Sequence, residues 1–117
     1  MLAIDRMFEI EETFGGKVQN IVPLELDGET LRLILYLPDG TNVRVTEQWQ
    51  GSRLERYSYY WLTLANVLKI GWDNAPHHTR LENFPHHKHV GRHDNLQSSS
   101  ETCLEEVMAV ILGDWHA

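Results

Sequence analysis

The 117-residue chain has little cysteine and no long apolar run. Its single cysteine, Cys103, cannot close an internal disulfide, which excludes a disulfide-stapled scaffold and favours a reducing compartment. No segment approaches the roughly 18 consecutive apolar residues of a membrane span. The first twelve residues carry charges every few positions in place of the apolar core of a signal peptide. We therefore expect a cytoplasmic protein that makes no membrane contact.

The signatures of several common enzyme classes are also missing. The chain has no Ser-His-Asp or Cys-His nucleophile motif, no Gly-rich phosphate loop, and neither HExxH nor paired cysteines for zinc. Its net charge is −7, and residues 94–117 contain five acids and no lysine or arginine. This balance argues against broad, nonspecific binding to nucleic acid, which requires a basic surface.

Histidine, in contrast, is concentrated in one stretch. Six of the seven histidines lie between positions 77 and 93, in two Pro-His-His blocks and the positions that follow them. Arg80, Lys88 and Arg92 make this stretch the only locally basic one. Its positive charge increases as the imidazoles become protonated near pH 6–7. Such a density of titratable groups favours a functional role over a plain structural loop.

Apolar spacing predicts a helix over residues 3–14, which Gly15-Gly16 ends. The period of the apolar residues then changes to two, which is typical of half-buried strands. Short turns join these strands, so they must pair in antiparallel order. The five predicted strands are Val18–Leu26, Leu31–Leu37, Val43–Trp49, Arg53–Thr63 and Val67–Asp73.

Residues 74–100 contain two prolines and a serine run, and we expect them to form one long His-rich loop. Thr102-x-x-Glu105 predicts a capping box for a second helix. Its apolar stripe extends from Leu104 to Leu112, and Gly113 is expected to end it. The predicted fold is α+β, a single domain over residues 1–117 with an N-terminal helix, a five-stranded antiparallel β-meander, the His-rich loop and a C-terminal helix packed on the sheet.

General acid–base chemistry is one function that suits the His-rich loop. Metal-free RNA cleavage needs one group to take the proton of the 2′-hydroxyl and another to protonate the leaving 5′-oxygen. Histidine does both near neutral pH. We predict that His78, His87 and His89 transfer protons and that Lys88 neutralises the phosphate.

Aromatic and basic residues nearby complete this hypothesis. The strand that contains Tyr57, Tyr59, Tyr60 and Trp61 offers rings for base stacking, as in single-strand RNA recognition. Arg53 and Arg56 are either surface charges or face the same cleft, if they share its side of the sheet. The substrate-binding residues that we predict are Arg80, Arg92, Tyr59 and Trp72.

A metal site is the alternative, in a non-catalytic metal-binding or protein-interaction module built on the same loop. His87 and His89 can converge on one ion, as can His86 with His89, and Asp73 or Asp94 can add an oxygen ligand. A third interpretation is a rigid loop whose imidazoles bond to backbone groups. The zinc ligands predicted in the metal alternative are His77, His86 and His89, whereas the leading hypothesis requires no cofactor.

Two strings within this region resemble a known family. Gly71–His78 reads GWDNAPHH and Phe84–Gly91 reads FPHHKHVG, and both are similar to the hallmark of the TumE family of small prokaryotic toxins. The likeness extends to Tyr57–Trp61 and to Leu104–Val107. It implies a single TumE-like domain, the toxin of a toxin–antitoxin pair, with a cognate antitoxin as partner. Such toxins resemble ribonucleases in size and gene context, so RNA is a second expected partner. The sequence leaves the oligomeric state open, including a homodimer.

Overall fold

The computed structural model describes residues 1–75 and 86–115 of the chain. These residues form two helices and one antiparallel sheet of seven strands, which lie side by side in the order in which they occur in the sequence. Each strand therefore pairs only with its sequence neighbours. The elements are α1 (Ala3–Phe14), β1 (Asn20–Asp27), β2 (Thr30–Tyr36), β3 (Asn42–Gln50), β4 (Arg53–Leu62), β5 (Leu68–Asp73), β6 (His87–Val90), β7 (Leu96–Ser98) and α2 (Leu104–Trp115).

The α+β class and the antiparallel meander are confirmed, but the count of five strands is wrong. Strands β6 and β7 lie inside residues 74–100, which were predicted as one long loop. Strand β6 continues the sheet through the pairs Ile70↔Val90 to Asp73↔His87. Its side chains are mostly His and Lys, so the apolar alternation that identified the other strands is absent. Pairing within the sheet, and not the intrinsic propensity of its residues, holds this strand in the extended conformation.

The ends of the helices follow the prediction at α1 and depart from it at α2. Helix α1 ends at Phe14, and the Gly15 amide donates to the Glu11 carbonyl at 2.8 Å. Helix α2 continues past Gly113 to Trp115, so the predicted end is wrong. A glycine is tolerated inside a helix at a cost of about 1 kcal/mol, so its presence alone does not end α2.

The capping residue of α2 also differs from the prediction. The backbone amide and the hydroxyl of Thr102 both donate to Glu106 Oε1, at 2.8 and 3.0 Å. Because the helix begins at Leu104, Glu106 occupies the third helical position, which suits this role. Glu105, the predicted partner, accepts hydrogen bonds from Arg6 of α1 instead.

Both helices cover the same face of the sheet. On this helix face, Leu33 pairs with Val45 and Val45 pairs with Tyr59, and all three side chains are buried. Burying about 20 apolar side chains here supplies the main stabilisation of the fold. Within the described part of the chain, neither helix has the length and apolar character needed to cross a membrane. The helices contribute Met7, Ile10, Phe14, Val107, Met108 and Ile111.

The other side of the sheet, which we call the distal face, is polar. Residues two apart on a strand share a face, so Ser58 and Tyr60 on β4 lie opposite Asp73 and Gly71 on β5. These pair in turn with His87 and His89 on β6. Two rows across three strands thus bring an acid, two histidines and a tyrosine together, away from the helices.

A charged group is buried within the helix face. The Arg6 guanidinium donates to both oxygens of Glu47, at 2.8 and 3.1 Å, and to both oxygens of Glu105, at 2.9 Å each. Arg6 is 2% exposed and Glu47 is fully buried. Tyr59 and Trp49 donate further bonds to Glu47. Glu105, whose side chain is 44% exposed, joins α2 to α1 through this guanidinium.

We expect this network to make the free energy of unfolding depend on pH in the acid range. Hydrogen bonds from Arg6 lower the pKa of Glu105 below its usual 4.5, although burial opposes the shift. As the pH falls, the unfolded chain therefore binds this proton first, and the free energy of unfolding falls below about pH 4.5. Denaturant titrations across pH 3–7 should show a shallower acid limb for Glu105→Gln than for the parent. Glu12→Gln, exposed on α1, is the matched control, and an equal change in both variants would contradict the assignment.

Candidate active site

One carboxylate on the distal face holds two histidines. Asp73 Oδ1 lies 2.6 Å from His87 Nε2, and Asp73 Oδ2 lies 3.1 Å from His89 Nε2. The strand register sets this geometry, because Asp73 pairs directly with His87 and His89 is two residues further on the same face. All three side chains are buried, with 7%, 1% and 9% exposure.

The second nitrogen of His89 determines where a proton must lie. His89 Nδ1 is 2.7 Å from the backbone carbonyl oxygen of His93. A carbonyl only accepts, so Nδ1 carries the hydrogen of that bond. His89 Nε2 faces a carboxylate oxygen, which also accepts. The two atoms must therefore share a proton or bind a common cation, and a shared proton there is one that can be transferred.

A cavity of about 550 Å³ opens beside this pair. His93 is exposed at its edge, and the His89 and His93 rings lie 5.7 Å apart. His87 is almost fully covered, so it supports Asp73 from behind. The cavity therefore has one histidine that is held by a carboxylate and one that is accessible. Its polar lining includes Arg56, Ser58, Tyr60, Asp73, His89 and His93.

Tyr60 remains a neutral phenol in this site. Burial raises its pKa, and the nearby negative charge of Asp73 adds to the effect. Its ring meets the His93 ring edge to face at 5.9 Å. Tyr60 therefore offers a hydrogen-bond donor and an aromatic surface, and it does not act as an anionic nucleophile near neutral pH.

Comparison with known families adds an independent finding. A family model described as Toxin TumE matches residues 10–115. The chain belongs to the TumE toxin family. The match begins within α1 and includes β1 to β3, which lie outside the strings that carry the resemblance in the sequence. No curated protein and no solved structure matches the chain.

For this TumE family member, the structure separates two predicted site residues from the His–Asp cluster. Lys88 lies between His87 and His89 in sequence, so its side chain is on the helix face, 3.7 Å from Glu101. His86 is on that side as well, with Nδ1 3.0 Å from the Tyr57 hydroxyl. Burial and the neighbouring His87 lower the pKa of His86, which keeps it neutral. The pleat of β6 therefore excludes Lys88 as the phosphate cation at His89 and excludes His86 as a ligand beside it.

Other predicted residues of this TumE family member are covered or already paired. Tyr59 and Trp72 are fully buried in the core, so neither ring is available to stack on a base. Their polar atoms donate to Glu47 and Glu101. Arg92 is exposed, and its Nε lies 3.3 Å from Asp94. His77, His78 and Arg80 lie outside the described residues.

The distal face also contains site residues that the sequence left undecided or did not single out. Asp73 was considered only as an optional metal ligand, and Arg56 only as one of two possible cleft residues. His93 was not assigned a role. The alternation of side chains along β4 would have identified these residues. Arg56 and Tyr60 lie on one face of the strand, whereas Tyr59 lies on the face with the buried residues.

The same cluster has the composition of a metal site. One ligand atom from each of Asp73, His87 and His89 lies within 4.8 Å of the others. Two imidazoles and a carboxylate suit zinc or another divalent transition metal. The bond from His89 Nδ1 to a carbonyl is also the usual outer contact of a metal-bound histidine. The sequence offered His87, His89 and Asp73 as one possible combination, but the zinc ligands selected from it were His77, His86 and His89, of which only His89 belongs to this cluster.

Proposed function

We propose that this TumE family toxin is a metal-independent ribonuclease that cleaves single-stranded RNA at the distal face. One observation carries the proposal: His89, which shares a proton with Asp73, lies beside the accessible His93 in an open polar cavity. Two imidazoles at this separation supply the base and the acid that the reaction needs.

We assign the roles of base and acid from the proton that each histidine can accept or donate. His93, exposed and free to bind the 2′-hydroxyl, removes its proton as the 2′-oxygen attacks phosphorus. The bond from phosphorus to the 5′-oxygen breaks, and the proton held between His89 and Asp73 passes to that oxygen. The products are a 2′,3′-cyclic phosphate and a free 5′-hydroxyl, so atoms and charge balance. Asp73 keeps the His89 ring oriented and stabilises its charged form.

An arginine of β4 neutralises the charge of the phosphate. Arg56 is exposed and lines the cavity, so it takes the role that the sequence gave to Lys88. An arginine binds two phosphate oxygens at once, and this interaction strengthens as negative charge develops on them. Ser58 and the neutral Tyr60 add hydrogen-bond donors to the same cavity.

Cleavage of matched RNA and DNA strands tests the proposal. The purified protein should cut a single-stranded RNA, with or without EDTA, and leave the DNA of the same sequence intact, because DNA lacks the attacking hydroxyl. The new 3′ ends should be cyclic phosphates by mass spectrometry. Intact RNA, or equal cutting of the DNA, would reject the mechanism.

A non-catalytic metal-binding module is the second candidate, and the compact Asp73, His87 and His89 set favours it. Elemental analysis and thermal unfolding separate the two. Bound zinc near one per chain, with a lower melting temperature after chelation, would support the metal module, because a ligand of the native state adds stability. Under the ribonuclease proposal, EDTA changes neither the metal content nor the melting temperature.

The family implies a cognate antitoxin, and we propose that it covers this cavity. Neutralisation by direct contact is most effective where the substrate binds. A segment that faces Arg56 should be acidic, since charge complementarity raises the association rate.

A further inference from the structure

Three arginines cross the distal face on successive strands. Arg32, Arg44 and Arg56 belong to β2, β3 and β4, and each is exposed. Thr46 lies opposite Arg32 on β3, and the register partners of Arg44 and Arg56 are uncharged. Among residues 1–75 and 86–115, none of the three forms an ion pair. This arrangement leaves three cations on one face of a chain whose net charge is −7.

The acidic residues are distributed differently. Helix α1 carries exposed acids on its outer surface, and the buried carboxylate of Glu47 is on the helix face. On the distal face, Glu25 of the edge strand lies across from Arg32 in the register. Arg44 and Arg56 are further inward, nearer the cavity, so they are the cations best placed to bind an anionic ligand there.

Tyr60 lies between these arginines and the His–Asp pair. It is directly across from Arg44 on one side and from Gly71 on the other. A side chain at position 71 would overlap Cδ1 and Cε1 of the Tyr60 ring. The absence of a Cβ at Gly71 therefore lets the ring rest on the backbone of β5, at the wall of the cavity and against His93.

We infer that the distal face binds single-stranded RNA across strands β3 to β6, with phosphates on Arg44 and Arg56 and a base stacked on Tyr60. This inference rests on the proposed ribonuclease function and names how its substrate is held. Neighbouring strands are about 4.8 Å apart, so Arg44 is within reach of a nucleotide stacked on Tyr60. Aromatic rings beside arginines are the usual means of binding single strands without sequence preference. The strand then leads to His89 and His93, two strands further on.

Binding can be measured apart from cleavage with a 2′-O-methyl RNA oligonucleotide, which has no attacking hydroxyl. In fluorescence anisotropy, we expect Tyr60→Ala to weaken binding by roughly tenfold, the usual effect of losing one stacked base. Tyr60→Phe keeps the ring and loses only the phenol donor, so it should lose clearly less affinity than Tyr60→Ala. Gly71→Ala should weaken binding with Tyr60 still present, and adding it to Tyr60→Ala should cause little further loss.

The contribution of the arginines to binding can be measured separately, through the salt dependence of the affinity. Arg44→Gln should weaken binding and reduce the slope of log affinity against log salt by about 0.7, the value for one lost phosphate contact on a single strand. Lys17→Gln is the matched control, because Lys17 is exposed in the turn between α1 and β1 and loses the same charge. Thermal melting of every variant checks that the fold persists.

The outcomes distinguish this inference from the proposed function. Weaker binding in Tyr60→Ala and Arg44→Gln, with Lys17→Gln unchanged, supports the RNA surface even if natural RNA is never cut, which would reject only the catalytic proposal. Equal affinity in all variants overturns the surface, whatever the cleavage assay shows. Binding of a poly-glutamate peptide, with none of the oligonucleotide, also overturns it and indicates an acidic protein partner instead.

Discussion

Replacing His89 with alanine should reduce cleavage of single-stranded RNA by about 10²–10⁴-fold, the usual effect of removing one proton-transfer group. The variant loses the ring that shares a proton with Asp73. Initial rates on one RNA substrate, with parent and variant at equal folded concentration, measure the effect. Loss of kcat with little change in KM is expected, because the proton is needed in the transition state.

Two companion variants show whether the effect is chemical. Asp73→Asn keeps the shape of the side chain but removes its charge, and it should lose a large part of the same activity. Lys88→Gln, one residue away from His89 and on the opposite face, should change the rate less than threefold or so, within the small range of a surface substitution. If Lys88→Gln lost as much activity as His89→Ala, the assignment of the distal face would be wrong.

Replacing Arg6 with methionine should destabilise the fold by about 3–5 kcal/mol, the cost of leaving a buried charge without its partner. Glu47 would keep the bonds from Tyr59 and Trp49 but lose both of its contacts with the guanidinium. The attachment of α1 to α2 through Glu105 would be lost as well. Equilibrium unfolding in urea measures the change as a lower midpoint with an unchanged slope.

Matched variants separate buried charge from simple loss of an ion pair. Glu9→Gln removes the half-exposed partner of Arg6, and it should cost less than about 1 kcal/mol. A double variant, Arg6→Met with Glu47→Met, should recover part of the lost stability, since apolar pairs often replace buried ion pairs without loss. A double variant that is less stable than Arg6→Met alone would mean that Glu47 contributes through its other bonds.

Local chemistry in the sequence predicted most of the fold. Apolar alternation identified β2, and the short connections between strands predicted the antiparallel order, because these signals act within a few residues. Strand β6 was missed for the opposite reason. Its four residues, His87–Val90, are held by pairing with β5 and have no apolar pattern of their own. The buried Arg6 was equally invisible, since its partners are 41 and 99 residues away in sequence.

The candidate site was predicted in part. The density of histidine pointed to the part of the chain that contains the His–Asp cluster, and His87 and His89 do converge, since residues two apart on a strand share a face. The same rule removes Lys88, once β6 is known to be a strand and not a loop. Tyr59 was chosen where Tyr60 lines the cavity, because the sequence shows that the strand alternates but does not show which face carries the helices.

The order of the sheet has a consequence for how the protein is made. Each strand pairs with the strand before it in sequence, so all pairing partners of β1 to β4 are present once β5 has left the ribosome. At that stage it contains Asp73 but neither His87 nor His89. The proton-sharing pair arises only when β6 joins the growing edge. A ribosome that is still translating this toxin therefore holds a partly folded product without the paired groups that the proposed chemistry requires.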